Sequence, residues 1–283
     1  MNKNELISKF KQISKIKKGG QKIVYKAINE QGETIALKLI YSNNDPRVLQ
    51  EIEILKALEI NNVPKIKNTG YFTDGTTEEE VLYIEEEFIS GKSLRDILDE
   101  GKKLKLSEAV KLLDSLLDIE IKLEEKSLIH RDIKPDNIMI NDSGQVYLID
   151  FGLARNLNGK RITNVNATHG PFTPGYAPNE QIGNQRMAQD VRTDLFEIGV
   201  TIYEACTGKN PFIDINDNIF DIANKTITLT PPNLSLKGDK EGLFGQLVNM
   251  LMAKNQSQRP ESAIKAKQYL NTIKTTLILE EDL

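Results

Sequence analysis

Near its start the chain alternates apolar and polar positions. Ile23-Val24-Tyr25-Lys26-Ala27 and Thr34-Ile35-Ala36-Leu37-Lys38-Leu39-Ile40 are rich in β-branched residues, and Asn29-Glu30-Gln31-Gly32 between them is turn chemistry, so the pattern predicts a hairpin. Over residues 47–58 the period changes. Val48, Ile52 and Leu55, with Leu49 and Ile54, recur at helical spacing behind Asp45-Pro46, a suitable helix start. Tyr71-Phe72 and residues 81–84 predict two further strands around a polar loop at 73–80. The first ~88 residues therefore predict a small sheet with one helix.

Beyond them the pattern turns helical. Residues 106–126 carry apolar side chains at 109, 110, 112, 113, 116, 117, 119, 121 and 123, the mark of a long, largely buried helix. Two short strands, 138–140 and 146–149, flank the turn Asn141-Asp142-Ser143-Gly144. An apolar helix at 194–207 ends at Gly208, a natural C-cap, and 243–253 and 261–278 predict two more helices. The change of period places a boundary near Ser90-Gly91. A cleft between the β-rich and helix-rich parts is the natural ligand site.

Composition narrows the class. A length of 283 residues suits one generous domain or two compact units. With 28% charged and 39% hydrophobic residues, the chain is neither disordered, collagen-like nor a coiled coil. A net charge of −4 argues against a dedicated nucleic-acid binder. The single cysteine, Cys206, excludes an intrachain disulfide and suits a core position. No apolar run approaches the ~18 residues that span a bilayer. The start Met1-Asn2-Lys3-Asn4-Glu5-Leu6 is too polar for a signal-peptide core, so the expected location is cytoplasmic. His130, His169 and Cys206 are too dispersed for a zinc site.

The string His130-Arg131-Asp132-Ile133-Lys134-Pro135-Asp136-Asn137, with Asp150-Phe151-Gly152 beginning thirteen residues later, carries the chemistry. Phosphoryl transfer needs a carboxylate to orient a hydroxyl and hard oxygen ligands to hold Mg2+ on nucleotide phosphates. Asp132 suits the first role; Asn137 and Asp150 suit the second. Lys134 can place a cation on the transferring group. A polar loop whose Asp and Asn merely form turns is the bland alternative, and it does not account for the full string at this spacing.

With these motifs the chain resembles the eukaryotic-like Ser/Thr protein kinase family, over roughly residues 13–270. The resemblance implies an α+β bilobal fold: a small β-rich N-lobe (1–89) with helix C, and a larger, mainly helical C-lobe (90–283), together one kinase domain over 1–283. It implies ATP and Mg2+ as cofactors. Lys38, in Ala36-Leu37-Lys38, would bind the α- and β-phosphates, with Glu51 as its helix-C partner and Glu53 as a rival register. Gly19, Gly20, Val24, Ala36, Glu87, Ile89 and Met139 would join Lys38, Asn137 and Asp150 around the nucleotide, Asn137 and Asp150 holding the metal. The segment from Thr173 to Glu180 resembles the P+1 loop and APE motif. Asp194 would anchor the catalytic loop, Arg259 would pair with Glu180, and His130 would pack on Phe151. Lys134 and Thr173 resemble the Ser/Thr pattern, so a protein Ser/Thr hydroxyl is the expected acceptor.

The chain also departs from the family. Lys17 and Lys22 replace the outer glycines of the glycine-rich loop; with Lys18 they either add charge near the phosphates or lie solvated. Lys38 and Glu51 are only thirteen residues apart, so helix C is expected to lose its first turn. Glu86 stands at the usual apolar gatekeeper, where a carboxylate needs a partner and would narrow or polarise the back of the adenine pocket. Asn179 replaces the proline before Glu180. Arg131 would pair with an activation-loop phosphate on Thr163 or Thr168, or with a carboxylate, and phosphorylation by the chain itself would supply that phosphate. The motifs absorb nearly the whole length, so the input is expected to arrive through the chain's own surface or from a separate regulatory protein. Two alternatives to an active protein kinase are a nucleotide-binding pseudokinase or scaffold and a small-molecule phosphotransferase.

Overall fold

The N-terminal alternation closes into one antiparallel sheet. The structure, a computed structural model, describes residues 2–18, 22–41, 60–75, 78–151, 154–157, 172–185 and 187–279. Gly19, Gly20, the helix expected over 47–58 with Glu51 and Glu53, Gly152, Thr163, Thr168 and His169 lie outside the described residues. The chain divides into two compact units, Met1–Ser90 and Gly91–Leu283.

In the first unit, strands Phe10–Lys18 (β1), Lys22–Asn29 (β2), Thr34–Ile40 (β3), Ile66–Thr73 (β4) and Glu80–Glu87 (β5) form a sheet in the order β1-β2-β3-β5-β4. Every neighbouring pair is antiparallel. Side chains of period two sort the faces. Ile35, Leu37 and Leu39 join Ala27, Phe72, Val81 and Tyr83 in one core, which Leu6 completes. Leu6 arrives on a short helix, Lys3–Ile7 (α1), whose Asn2 cap and Glu5 satisfy one another's backbone N–H groups. The alternate residues of β3 and β5 build the opposite face, where Ile40, Leu82 and Ile84 pack together. Sequence pattern did not show β1 as a strand. It is an edge strand whose exposed lysines interrupt the alternation and keep its open side soluble.

The second unit opens with strand Lys92–Ser93 (β6) and helix Leu94–Asp99 (α2), capped by Ser93. Helix Leu106–Glu125 (α3) leads through Leu128–Ile129 (β7) and a 3-10 turn, Pro135–Asn137, to the hairpin Ile138–Ile140 (β8) and Val146–Leu148 (β9). Arg155–Asn156 (β10) pairs with β7. Helices Asn179–Ile182 (α4), Val191–Thr207 (α5), Ile219–Thr228 (α6), Leu243–Leu251 (α7) and Ala263–Lys274 (α8) complete it. Helix α5 is buried on all sides, packed by α3, α7 and α8, and ends at Gly208 in the left-handed conformation. The helix expected over 261–278 is shorter, because Ser262 caps its start and Thr275 ends it. The sequence pattern did not single out helix α6, although Asn218 signals its start as an N-cap. No helix among the described residues is long and apolar enough to cross a membrane.

Gly91 begins the second unit at φ +118, and a Cβ there would lie 2.1 Å from the carbonyl oxygen of Ile140. Backbone strain and the clash act together, so Gly91→Ala should destabilise the protein by about 3 kcal/mol, read from urea unfolding.

Candidate functional site

The loop between β7 and β8 is built around buried carboxylates. Three consecutive turns of α5 present Asp194, Glu197 and Thr201 to it. Asp194 accepts from the backbone N–H groups of His130 (2.6 Å) and Arg131 (2.7 Å), and Glu197 from that of Ile133 (2.6 Å). Gln181 of α4 donates to the carbonyl of Arg131 at 2.8 Å. These bonds over-determine the loop and hold Arg131 at φ +65, a conformation a non-glycine residue adopts at a cost of about 1 kcal/mol or more. The Arg131 guanidinium donates to Gln189 at 3.2 Å.

His130 is fully buried. Its ring meets Phe151 edge-on at 4.6 Å between centroids, and its Nδ1 accepts from the Asp132 backbone N–H at 3.2 Å. The ring proton therefore sits on Nε2, 3.3 Å from the carbonyl of Ile149. Burial pushes the imidazole down to about 4, so it stays neutral near pH 7 and packs without acting as a base.

Asp132 gathers the polar groups named from the sequence. Its Oδ1 accepts from the Lys134 ammonium at 2.8 Å and the Thr173 hydroxyl at 2.5 Å. Lys134 also donates to Thr173 at 2.8 Å. The Asn137 amide nitrogen donates to the Asp132 carboxylate (2.8 Å) and carbonyl (2.9 Å), which turns the amide oxygen away as the remaining donor atom. The N–H of Ile149 bonds the carbonyl of Asn137 at 2.8 Å, so Asn137 and Asp150 leave paired backbone segments at one end of the hairpin. Asp150 sits at φ +67. An amide oxygen and a carboxylate delivered this way suit a hard divalent cation. Met139 lies in β8, paired with Ser93 and Tyr147.

The segment after Thr173 is tied to the same scaffold. Tyr176 donates its hydroxyl to Glu204 of α5, and Arg95 of α2 bonds Glu204 (3.0 Å), Tyr176 (2.9 Å) and Asp136 (3.4 Å). Arg259 grips Glu180 with both terminal guanidinium nitrogens at 2.6 and 3.3 Å, and the pair is buried. Asn179, where proline was expected, simply starts α4.

In the first unit, Lys38 meets a carboxylate that sequence reasoning did not assign to it. Glu86 lies opposite Ala36 across the β3–β5 pair, diagonal to Lys38 on the same face. Both Glu86 oxygens stand 2.7 Å from the Lys38 ammonium, and the two side chains are only 8% and 4% exposed. Glu86, read from the sequence as a carboxylate in need of a partner, has one. Its signal was the strand register, which no linear motif carries. Val24 pairs with Lys38 from β2, and Ala36 shares the face. Glu87 bonds its backbone N–H to Lys65 at 2.9 Å, and Ile89 is buried.

Removing one member of a buried ion pair strands the other charge. Glu86→Leu should therefore cost about 3 kcal/mol of unfolding free energy, and Lys38→Met with Glu86→Leu should cost less than the sum of the two single changes. Strict additivity in a urea-unfolding cycle would contradict the pair.

Comparisons with known proteins identify the family. The family model described as "Protein kinase domain" matches residues 10–272. The serine/threonine-protein kinase PknL of Mycobacterium tuberculosis is 30% identical over 282 residues, covering 98% of this chain and 68% of that protein. The probable serine/threonine-protein kinase PknB of Bifidobacterium longum is 28% identical over 264 residues, covering 89% of this chain and 38% of that protein. PknA of M. tuberculosis is 28% identical over 251 residues, 86% and 56% respectively. The chain thus spans well under two thirds of PknB and PknA. The sheet of the first unit, the mainly helical second unit and the match across nearly all of the chain make it a member of the protein kinase family, which implies ATP binding.

Proposed function

We propose that the chain is a Ser/Thr protein kinase that moves the ATP γ-phosphoryl group to a protein hydroxyl. The observation that carries this reading is the joint engagement of Asp132 by Lys134, Thr173 and Asn137. Asp132 accepts a hydrogen bond from the Thr173 hydroxyl, the same interaction it would offer an acceptor serine or threonine.

The acceptor oxygen forms its bond to the γ-phosphorus as the bond from that phosphorus to the β,γ-bridging oxygen breaks. ADP leaves, and the hydroxyl proton passes to the Asp132 carboxylate. Lys134 places its ammonium on the transferring group, and the neighbouring Thr173 keeps it beside Asp132. Lys38, steadied by Glu86, binds the α- and β-phosphates. Asn137 and Asp150 would hold Mg2+, which when bound offsets charge on the phosphate oxygens. His130 is neutral and takes no part in proton transfer.

Self-phosphorylation at Thr163 or Thr168 belongs to the same proposal, with Arg131 as the group that would receive the phosphate.

Labelled ATP offered with the chain and with a generic basic protein tests the reading. Label should enter protein, and Asp132→Asn should slow transfer by roughly 10²- to 10⁴-fold while nucleotide still binds. Binding without any transfer would support the pseudokinase or scaffold, and label passing only to small alcohols would support a small-molecule phosphotransferase.

A further inference from the structure

Beneath the loop, three carboxyl side chains are buried near one another. Glu120 comes from α3; Asp194 and Glu197 come from α5. All three are fully or almost fully buried. Their hydrogen-bond supplies differ. Asp194 receives two backbone N–H groups and Glu197 receives one. Glu120 receives none: neither of its oxygens meets a donor among the described residues, although its carboxyl lies within hydrogen-bonding reach of Asp194. Two carboxylates cannot bond to each other, because each only accepts. One shared proton resolves the contact and gives one of the two partnerless oxygens a partner. It belongs on Glu120, since the two N–H groups already favour the charged form of Asp194.

We propose that Glu120 is a neutral carboxylic acid that donates a hydrogen bond to Asp194 and so acts as a positioning residue for the catalytic loop. The surroundings agree. Burial first, then the charge of Asp194, drives Glu120 well above its ordinary 4.5, with Glu124 and Glu197 adding to it. Asp194 is pushed up by burial only to about 6, because Arg131, His130 and Glu120 offset the penalty. Glu197 is raised by burial, with Asp194 and Asp132 adding and Lys134 opposing. Through Asp194, the proton on Glu120 supports the backbone of His130 and Arg131, next to Asp132. The inference rests on the kinase reading only for its effect on turnover; the proton itself stands apart from it.

Infrared difference spectroscopy of the full chain reads the proton directly. At neutral pH the wild type should show the carbonyl band of a protonated carboxyl, and Glu120→Gln should remove it. Absence of that band, or a band unchanged in position and size in Glu120→Gln, overturns the proposal whether or not the chain is an active kinase. Stability supplies a second readout. A group whose folded-state affinity for a proton is raised stabilises most at low pH and loses that contribution as pH rises. The melting temperature of the wild type relative to Glu120→Gln should therefore fall from about pH 5 to about pH 9. A difference independent of pH overturns the proposal. For turnover, Glu120→Leu removes the donor and should lower kcat roughly tenfold with little change in KM for ATP, and Glu120→Gln, which keeps a donor, should recover most of the loss. Equal damage from Gln and Leu would mean that a donor at this position does not support the loop, which overturns the positioning role.

Discussion

The catalytic loop depends on carboxylates delivered from beneath it. A loop that holds Arg131 in a left-handed conformation cannot satisfy its own backbone, and a buried N–H without an acceptor is costly. Asp194 and Glu197 of α5 receive the N–H groups of His130, Arg131 and Ile133. The polar groups around Asp132 are positioned from that support. Asp132 follows directly, Asn137 is held against Asp132, and the neutral His130 packs on Phe151 just beyond Asp150.

Burying acidic groups this way is expensive unless each charge is accounted for. The second unit meets the cost differently at each site. Glu180 is chelated by Arg259, whose guanidinium also faces the ring of Phe196 at 4.9 Å. Glu204 is shared by Arg95 and Tyr176. Asp194 has backbone donors. Glu120 has no donor among the described residues, which is why a retained proton is the economical arrangement there. The same helix, α5, carries Asp194, Glu197 and Glu204, so one rigid element sets the catalytic loop and the segment around Tyr176 together.

In the first unit the corresponding logic is carried by a sheet. Lys38 would be a costly buried cation on the face it shares with Ile40, Leu82 and Ile84. Glu86, one strand away and diagonal in register, supplies both oxygens. The lysine is thereby held by two neighbouring strands of the sheet, an arrangement as stiff as the hydrogen-bond ladder between them.

Much of this was legible in the linear chain. Contiguous strings named Asp132, Lys134, Asn137 and Asp150, because a short loop must bring those groups close whatever surrounds it. The hairpin strands, the long helix at 106–125 and the C-cap at Gly208 followed from periodicity and turn chemistry, which are local. The strand β1 escaped because exposed positions blur its period. Contacts between distant segments were another matter. The resemblance to kinases implied Arg259 with Glu180 and Asp194 with the loop, while no motif implied Lys38 with Glu86 or Glu120 with Asp194. Those two depend on strand register and on how α3 lies against α5. Sequence alone determined which chemical groups this protein has and which of them a short loop gathers; the tertiary structure decided which buried charges meet, because burial and register belong to the packed chain and not to any one segment of it.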